Sequence, residues 1–318
     1  MRAPRRLLTW SLPAAAVLAC GAYWTQLLHT QQQARERALV NAATRATHLA
    51  DTLALQAETL LQSADFVLST VGAQWGGDRQ PLPPLPYPAG AVLQLGVLDA
   101  KGRLQPMDGG TAPGAIDGLP ASAPGLAVGA PARAPVAGAV SFTRPLPGHG
   151  QVLLTLSPGY LTGLLRRLQP TRGDLLLLVR SDGVAVARSD GLVEPLPFAV
   201  APLFERAPRA GEVTSQSWPP EEGRRILGWQ RTAGATPLLA LAAVDEAGVL
   251  RGVQAEQAAV RYRAAVGSAA LLALAGAFSL LARRRQRRRA AAQRPAAPAP
   301  MATATRPAKH PDSASTPA

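Results

Sequence analysis

This chain of 318 residues contains one cysteine, Cys20, two lysines and four histidines, and only 4% of it is aromatic. A lone cysteine excludes a disulfide framework and any metal site built from several thiolates. Between residues 29 and 263 the histidines are His29, His48 and His149, without an HExxH helix or metal-ligand spacing. The sequence also lacks a G-x-S-x-G nucleophile elbow, a Walker A run and a Rossmann fingerprint. No catalytic residue, metal site or cofactor is therefore expected, and the chain is not expected to be an enzyme. Arginine outnumbers lysine 31 to 2. With the abundant alanine, this reads as high-GC codon usage, so alanine periodicities are discounted accordingly.

Charge is missing from two places. Residues 7–28 and 264–282 contain no Asp, Glu, Lys, Arg or His, and each run is long enough to cross a bilayer's hydrocarbon core as a helix. Arg2, Arg5 and Arg6 precede the first run, and Arg283, Arg284, Arg285, Arg287, Arg288 and Arg289 follow the second. Most of the +13 net charge sits at these ends, because residues 29–263 carry 21 basic and 19 acidic side chains. The positive-inside rule then puts both ends in the cytosol and residues 29–263 on the outer side, giving a two-pass membrane protein. Six guanidiniums in seven residues could also bind nucleic acid. Directly after an apolar run, anchoring to anionic lipid head groups explains them better, and no nucleic-acid partner is expected. Val17-Leu18-Ala19-Cys20 resembles a lipobox. The apolar run continues past Cys20 to Tyr23 and Trp24, placed as an interfacial belt, which favours a span over a lipid anchor.

Glycine and proline are both absent from residues 25–71, so a long helix is expected to leave the membrane there. Its apolar residues Leu39, Ala43, Ala46, Ala50, Leu53, Ala57, Leu60, Ala64, Val67 and Val71 alternate in steps of four and three. This heptad seam suits pairing with a second copy in a homodimer, or packing along the protein's own domains. Gly76-Gly77 and the prolines between 81 and 88 then predict a loop.

Two stretches, 93–104 and 175–186, share one scheme: an apolar strand, a polar turn with Asp and Gly, and a second strand. Asp99 and Asp182 fall in those turns, where a structural role is expected. Further strands are expected over 134–146 and 151–156 in the first half, and over 224–232 and 237–244 in the second. A helix follows each set, 158–168 from a Ser157 cap and 245–263 running into the second apolar stretch. Residues 105–133 are expected to be irregular. The fold class is therefore α+β, with two transmembrane helices flanking a long helix and two tandem antiparallel-sheet domains. The expected divisions are 1–6 (cytosolic), 7–28 (first span), 29–75 (long helix), 76–168 (distal domain), 169–250 (proximal domain), 245–263 (connecting helix), 264–282 (second span) and 283–318 (basic disordered tail).

In order along the chain come Ala64-Asp65-Phe66-Val67-Leu68, Val97-Leu98-Asp99-Ala100-Lys101-Gly102, Ser141-Phe142-Thr143-Arg144-Pro145-Leu146, Leu156-Ser157-Pro158-Gly159-Tyr160, Arg180-Ser181-Asp182-Gly183 and Gly228-Trp229-Gln230-Arg231. This series, within residues 1–285, resembles the double Cache (PDC) sensory modules of bacterial membrane-bound receptors, especially those preceding diguanylate cyclase or histidine kinase domains. The resemblance implies two PAS-like folds, a membrane-distal one that holds a ligand and a proximal one that relays. The acidic-Arg-Asp-Tyr-Phe segment that the family places ahead of its S-R-x-L strand has no counterpart around residues 116–129. Arg144, Ser141 and Tyr160 are the candidate ligand contacts, an arginine on an inner strand being suited to a carboxylate or other anion.

The expected function is a non-enzymatic inner-membrane sensor or adaptor that detects a small-molecule ligand or periplasmic protein. A separate cytosolic or membrane signalling effector would read the displacement of its second span. The alternatives are the sensory half of a diguanylate cyclase or histidine kinase lacking its catalytic domain, and a structural periplasmic scaffold with a degenerate pocket.

Overall fold

The computed structural model describes residues 5–75, 84–99, 101–107, 117–120, 123–148, 150–169, 171, 173–192, 201–205, 214–217, 223–234 and 236–292. The chain forms two units, one made of Leu27–Arg261 and the other of Met1–Gln26 with Tyr262–Ala318.

The first element is α1, Arg5–Gln74. From residue 25 onward it is built of Ala, Leu, Gln, Arg and Thr without a glycine or proline until Gly72, so no residue interrupts its hydrogen-bond ladder. A first sheet follows from β1 (Val92–Leu98), β2 (Leu104–Pro106), β3 (Ala127–Val128), β4 (Val140–Leu146) and β5 (Gly150–Leu156). Helix α2 (Pro158–Leu168) comes next, and Ser157 caps it by accepting the Tyr160 N–H through its hydroxyl. The second half contains β6 (Leu175–Val179), β7 (Ala185–Arg188), α3 (Ala201–Glu205), β8 (Thr214–Ser217), β9 (Arg224–Arg231) and β10 (Leu239–Asp245), and ends in α4 (Glu246–Ala292).

Among the described residues both sheets have five strands, all neighbours antiparallel, and one topology. The first runs β2-β1-β5-β4-β3 and the second β7-β6-β10-β9-β8. Counted within each half, the order is the same, 2-1-5-4-3, so the repeated hairpin scheme of the sequence corresponds to a repeated topology. Each opening turn is held by its aspartate. Asp99 accepts the N–H groups of Lys101 and Arg103 and pairs with the Arg103 side chain at 3.0 Å. Asp182 accepts the Val184 N–H and pairs with Arg180 at 2.9 Å. These are Asx-type turns in which the carboxylate substitutes for missing backbone partners.

The heptad seam of α1 packs on the protein's own sheets. Ala43, Ala46, Ala50, Leu53, Ala57, Leu60, Ala64, Val67 and Val71 are all buried. They join the inner faces of both sheets in clusters that include Val97, Phe142, Val152 and Leu154 from the first, and Leu176, Leu178, Ile226, Ala240 and Val244 from the second. Close approach is built in at Gly228 on β9, where a Cβ would lie 2.2 Å from the Ala46 carbonyl carbon. The second sheet is covered on its other face too. There Leu175, Leu177, Val179, Leu227, Trp229, Leu239 and Leu241 form a cluster with Leu203 of α3, which is why β6 reads as an unbroken apolar run.

Several sequence expectations are adjusted. The strand expected over 134–146 begins only at Val140, because residues 133–138 bend back and Gly138 turns at φ +81. The irregular 105–133 segment contributes the short edge strand β3, and α3 and β8 lie where none was expected. Helix α4 continues to Ala292, past residue 283 where the tail was expected to start. Its Arg, Gln and Ala residues are good helix formers, and the next proline is Pro295. Residues 293–318 of the expected tail and the loop at 76–83 lie outside the described residues. Among the described residues one helix is long and apolar enough to cross a membrane, Glu246–Arg285, with a mean hydropathy of 2.0 in its most apolar stretch. The expected first span lies within α1, and the side chains of its residues up to 12 are outside the description.

Candidate functional site

Arg144 sits on β4 on the same side as Phe142 and Val140, facing α1, because strand side chains alternate. Its guanidinium donates to Asp65 of α1, forming an ion pair. Neither partner is deeply buried, the side chains being 38% and 41% exposed.

This pair lies in an open cleft of about 430 Å³ with walls from three parts of the fold. Helix α1 supplies Glu58, Leu61, Gln62 and Asp65, which follow the i, i+3, i+4, i+7 spacing of a single helix face. Strand β4 supplies Arg144, the segment just before β3 supplies Gly125 and Leu126, and the β9–β10 turn supplies Ala233, Gly234 and Thr236. Hydrogen bonds clasp the turn against the other two walls. The Ala233 N–H donates to Glu58 Oε1 at 2.6 Å, and the Thr236 hydroxyl donates to the Leu126 carbonyl. Nearby, Arg180 at the end of β6 donates to the Val128 carbonyl of β3 at 2.8 Å. The cleft is thus a junction where α1, the first sheet and the second sheet meet.

The other candidates stand elsewhere. Ser141 is three residues from Arg144 on a regular strand and so faces the opposite side of the sheet. It is buried there, and its hydroxyl shares a 3.0 Å hydrogen bond with Thr155 of β5. That outer face also holds buried Thr143 and an apolar group of Leu98, Leu104 and Leu153 with Leu119. Tyr160, in the first turn of α2, meets Tyr87 edge to face with ring centroids 5.9 Å apart. Burial, and then the neighbouring Tyr160, push the Tyr87 phenol above its ordinary range. The structure therefore distributes Arg144, Ser141 and Tyr160 over three places.

Glu58, Asp65, Leu126 and Thr236 were not singled out from sequence. The polar stripe Glu58, Gln62, Asp65 beside the apolar seam was a visible signal, but its partners lie about 80 and 175 positions away along the chain. Of the basic segment, Arg284, Arg285, Arg287 and Arg288 are exposed on α4, Arg283 is half-buried, and the Arg289 side chain lies outside the described residues. Among the described residues no group of three or more His, Cys, Asp or Glu is placed to hold a metal ion.

Comparison with solved structures decides the fold. The extracellular domain assigned to a histidine kinase, rpHK1S-Z16, superposes with a TM-score of 0.52 at 21% identity, covering 67% of this chain and 98% of that one. The chain has the fold of that domain. That shared fold agrees with the resemblance to the double Cache modules of bacterial membrane-bound receptors. Two chemoreceptor ligand-binding domains are also similar. That of Pseudomonas fluorescens CtaA, in complex with L-isoleucine, has a TM-score of 0.47 and 17% identity, covering 70% of this chain and 98% of its own. That of Pseudomonas aeruginosa PAO1 PctC, in complex with GABA, has a TM-score of 0.42 and 13% identity, covering 62% and 97%. No family model and no curated protein sequence matches the chain.

Proposed function

We propose that this protein is a non-enzymatic sensor or adaptor of the bacterial inner membrane. Its periplasmic part, residues 29–263, detects a small molecule or a periplasmic protein and passes the change to the membrane through α4. The observation that carries this reading is the sensor fold joined to a membrane-type helix without a linker. Strand β10 ends at Asp245, α4 begins at Glu246, and the apolar stretch lies on that same helix. A strand displaced by a ligand would move the start of α4 directly, and a separate signalling effector would read the displacement at its basic cytosolic end.

The two-pass topology is supported by the charge-free stretches at 7–28 and 264–282 with arginines outside both. In the unit formed by Met1–Gln26 and Tyr262–Ala318, Trp24 Nε1 donates to Ser268 Oγ at 3.1 Å. This polar contact between the two apolar segments is of the kind that joins membrane helices.

The test uses the full chain in lipid nanodiscs, followed by thermal unfolding against a panel of amino acids, organic acids, polyamines and sugars. A ligand at a hundred times its dissociation constant stabilises the folded state by about 2.7 kcal/mol, enough for a clear rise in Tm. At least one compound class is expected to give a saturable rise. Unchanged unfolding across the panel would leave the scaffold reading in its place.

A further inference from the structure

The junction cleft has a charge arrangement that selects among ligand chemistries. Its lining carries two carboxylates, Glu58 and Asp65, and one guanidinium, Arg144, beside the Thr236 hydroxyl and the apolar side chains of Leu61 and Leu126. A cavity of about 430 Å³ is in the range of small-molecule sites. The Arg144–Asp65 pair inside it is partly open to water on both sides, and such exposed pairs contribute little to stability. It can therefore open for a ligand at small cost. A ligand carboxylate would take the Arg144 guanidinium through two parallel hydrogen bonds, and a ligand ammonium would take Asp65 in exchange. No charge is left unpaired by that exchange. One carboxylate remains: Glu58 accepts the Ala233 N–H through Oε1, while its second oxygen has no partner among the described residues. A second ammonium fits there.

We propose that this cleft binds a small molecule carrying one carboxylate and two ammonium groups, a cationic amino acid being the simplest. The proposal rests on the sensor reading above and assigns it a site and a ligand class. A ligand held in this way touches α1 and β4 at one end and sits beside the β9–β10 turn at the other. It would tighten or release the Glu58–Ala233 clasp, and so shift β10, the strand that leads into α4.

The experiment titrates L-lysine into the full chain in nanodiscs by calorimetry. Cadaverine, which has no carboxylate, and 6-aminohexanoate, which has no α-ammonium, are the comparison probes. Saturable lysine binding is expected, at least tenfold tighter than either probe. Asp65→Asn and Arg144→Lys should each weaken it at least tenfold, the latter because lysine keeps the charge but loses the paired donors. Gly163→Ala, on α2 in open space, should leave binding unchanged. Unliganded Tm values near the parent's establish that the variants fold. Lysine binding that survives both cleft variants overturns the site. Absence of lysine binding, with another compound stabilising the protein, overturns the ligand class while the sensor reading stands. If no compound of the wider panel binds, both fall.

Discussion

The two sheets share a strand order and a helix, yet they meet that helix and their surroundings differently. On the second sheet α1 presents mostly alanines. Ala42, Ala43 and Ala46 of α1 pack with Ile226 and Val244, and Gly228 admits the Ala46 backbone at a distance no side chain would permit. On the first sheet the helix is held by larger groups. Leu60, Leu68 and Val71 share a cluster with Phe142, Val152 and Leu154, and a Cβ at Gly72 would make ordinary contact with Leu146 and Val152 at 3.4 Å. Their outer faces diverge as well, with hydroxyls of Ser141, Thr143 and Thr155 buried on the first and Leu, Val and Trp on the second. The second sheet buries one charged group as well, Arg188 at the end of β7, which is held by Asp190. On the reading proposed above, the first sheet, whose Arg144 lines the ion-paired cleft, is the one that meets a ligand.

Substitutions can break this contrast, beginning with the largest effect. Phe142 is 1% exposed at the centre of the first contact, so Phe142→Ala is expected to destabilise by about 3–5 kcal/mol in thermal or denaturant unfolding. A loss below about 1 kcal/mol would mean that the large side chains do not hold the first sheet to α1. Gly228→Ala places a methyl group against the Ala46 backbone, and a cost of about 1–3 kcal/mol is expected from overpacking. Unchanged stability there would remove the distinction between close and ordinary packing.

Ser141→Ala leaves the Thr155 hydroxyl buried without its partner and should cost about 1 kcal/mol. The double variant Ser141→Ala/Thr155→Val should recover most of that loss, because it removes both polar groups. A double variant as unstable as the two losses summed would show that each hydroxyl has a separate role.

The smallest effect depends on pH. Burial acts to raise Asp190, but the hydrogen bonds from the nearly inaccessible Arg188 and from the Leu192 N–H outweigh it and hold the carboxyl below its ordinary range. Because the folded value is depressed, this contribution is present above the ordinary aspartate pKa of about 3.9 and is lost as pH falls through the folded value. Asp190→Asn should therefore be less stable than the parent at neutral pH, and the difference should narrow on acidification. A difference that stays constant from pH 6 to pH 3 would count against the pairing.

Much of this architecture was legible along the chain. The expected helix at 158–168 with its Ser157 cap coincides with α2, and the strands expected over 151–156 and 224–232 match β5 and β9 within a residue. These are segments where local chemistry and burial agree: a capping hydroxyl, or an apolar run bounded by turn residues. Strands β3 and β8 were missed because two to four residues at a sheet edge carry too little pattern to register against their flanks. The alanines of α1 posed the opposite difficulty. Their periodicity was visible and suited either a second copy or the protein's own domains, and only burial distinguishes a packed alanine from an incidental one.

The candidate site shows the same division. Arg144 could be chosen as an anion-binding group from its residue type and its place on a strand, but Asp65, Glu58 and Thr236 could not be attached to it. By itself the sequence determined the longer elements, their doubled order, the placement of charge at the chain's ends and the lack of nucleophile and metal motifs. Each of these follows from neighbours within a few residues, where backbone preference, hydrophobic periodicity and electrostatics act locally. Only the tertiary structure decided which side of the seam was covered, which faces Arg144 and Ser141 occupy relative to α1, and that the β9–β10 turn closes a cleft against residues of the first half. Those outcomes depend on contacts between segments far apart in the chain, whose register is set by packing against α1.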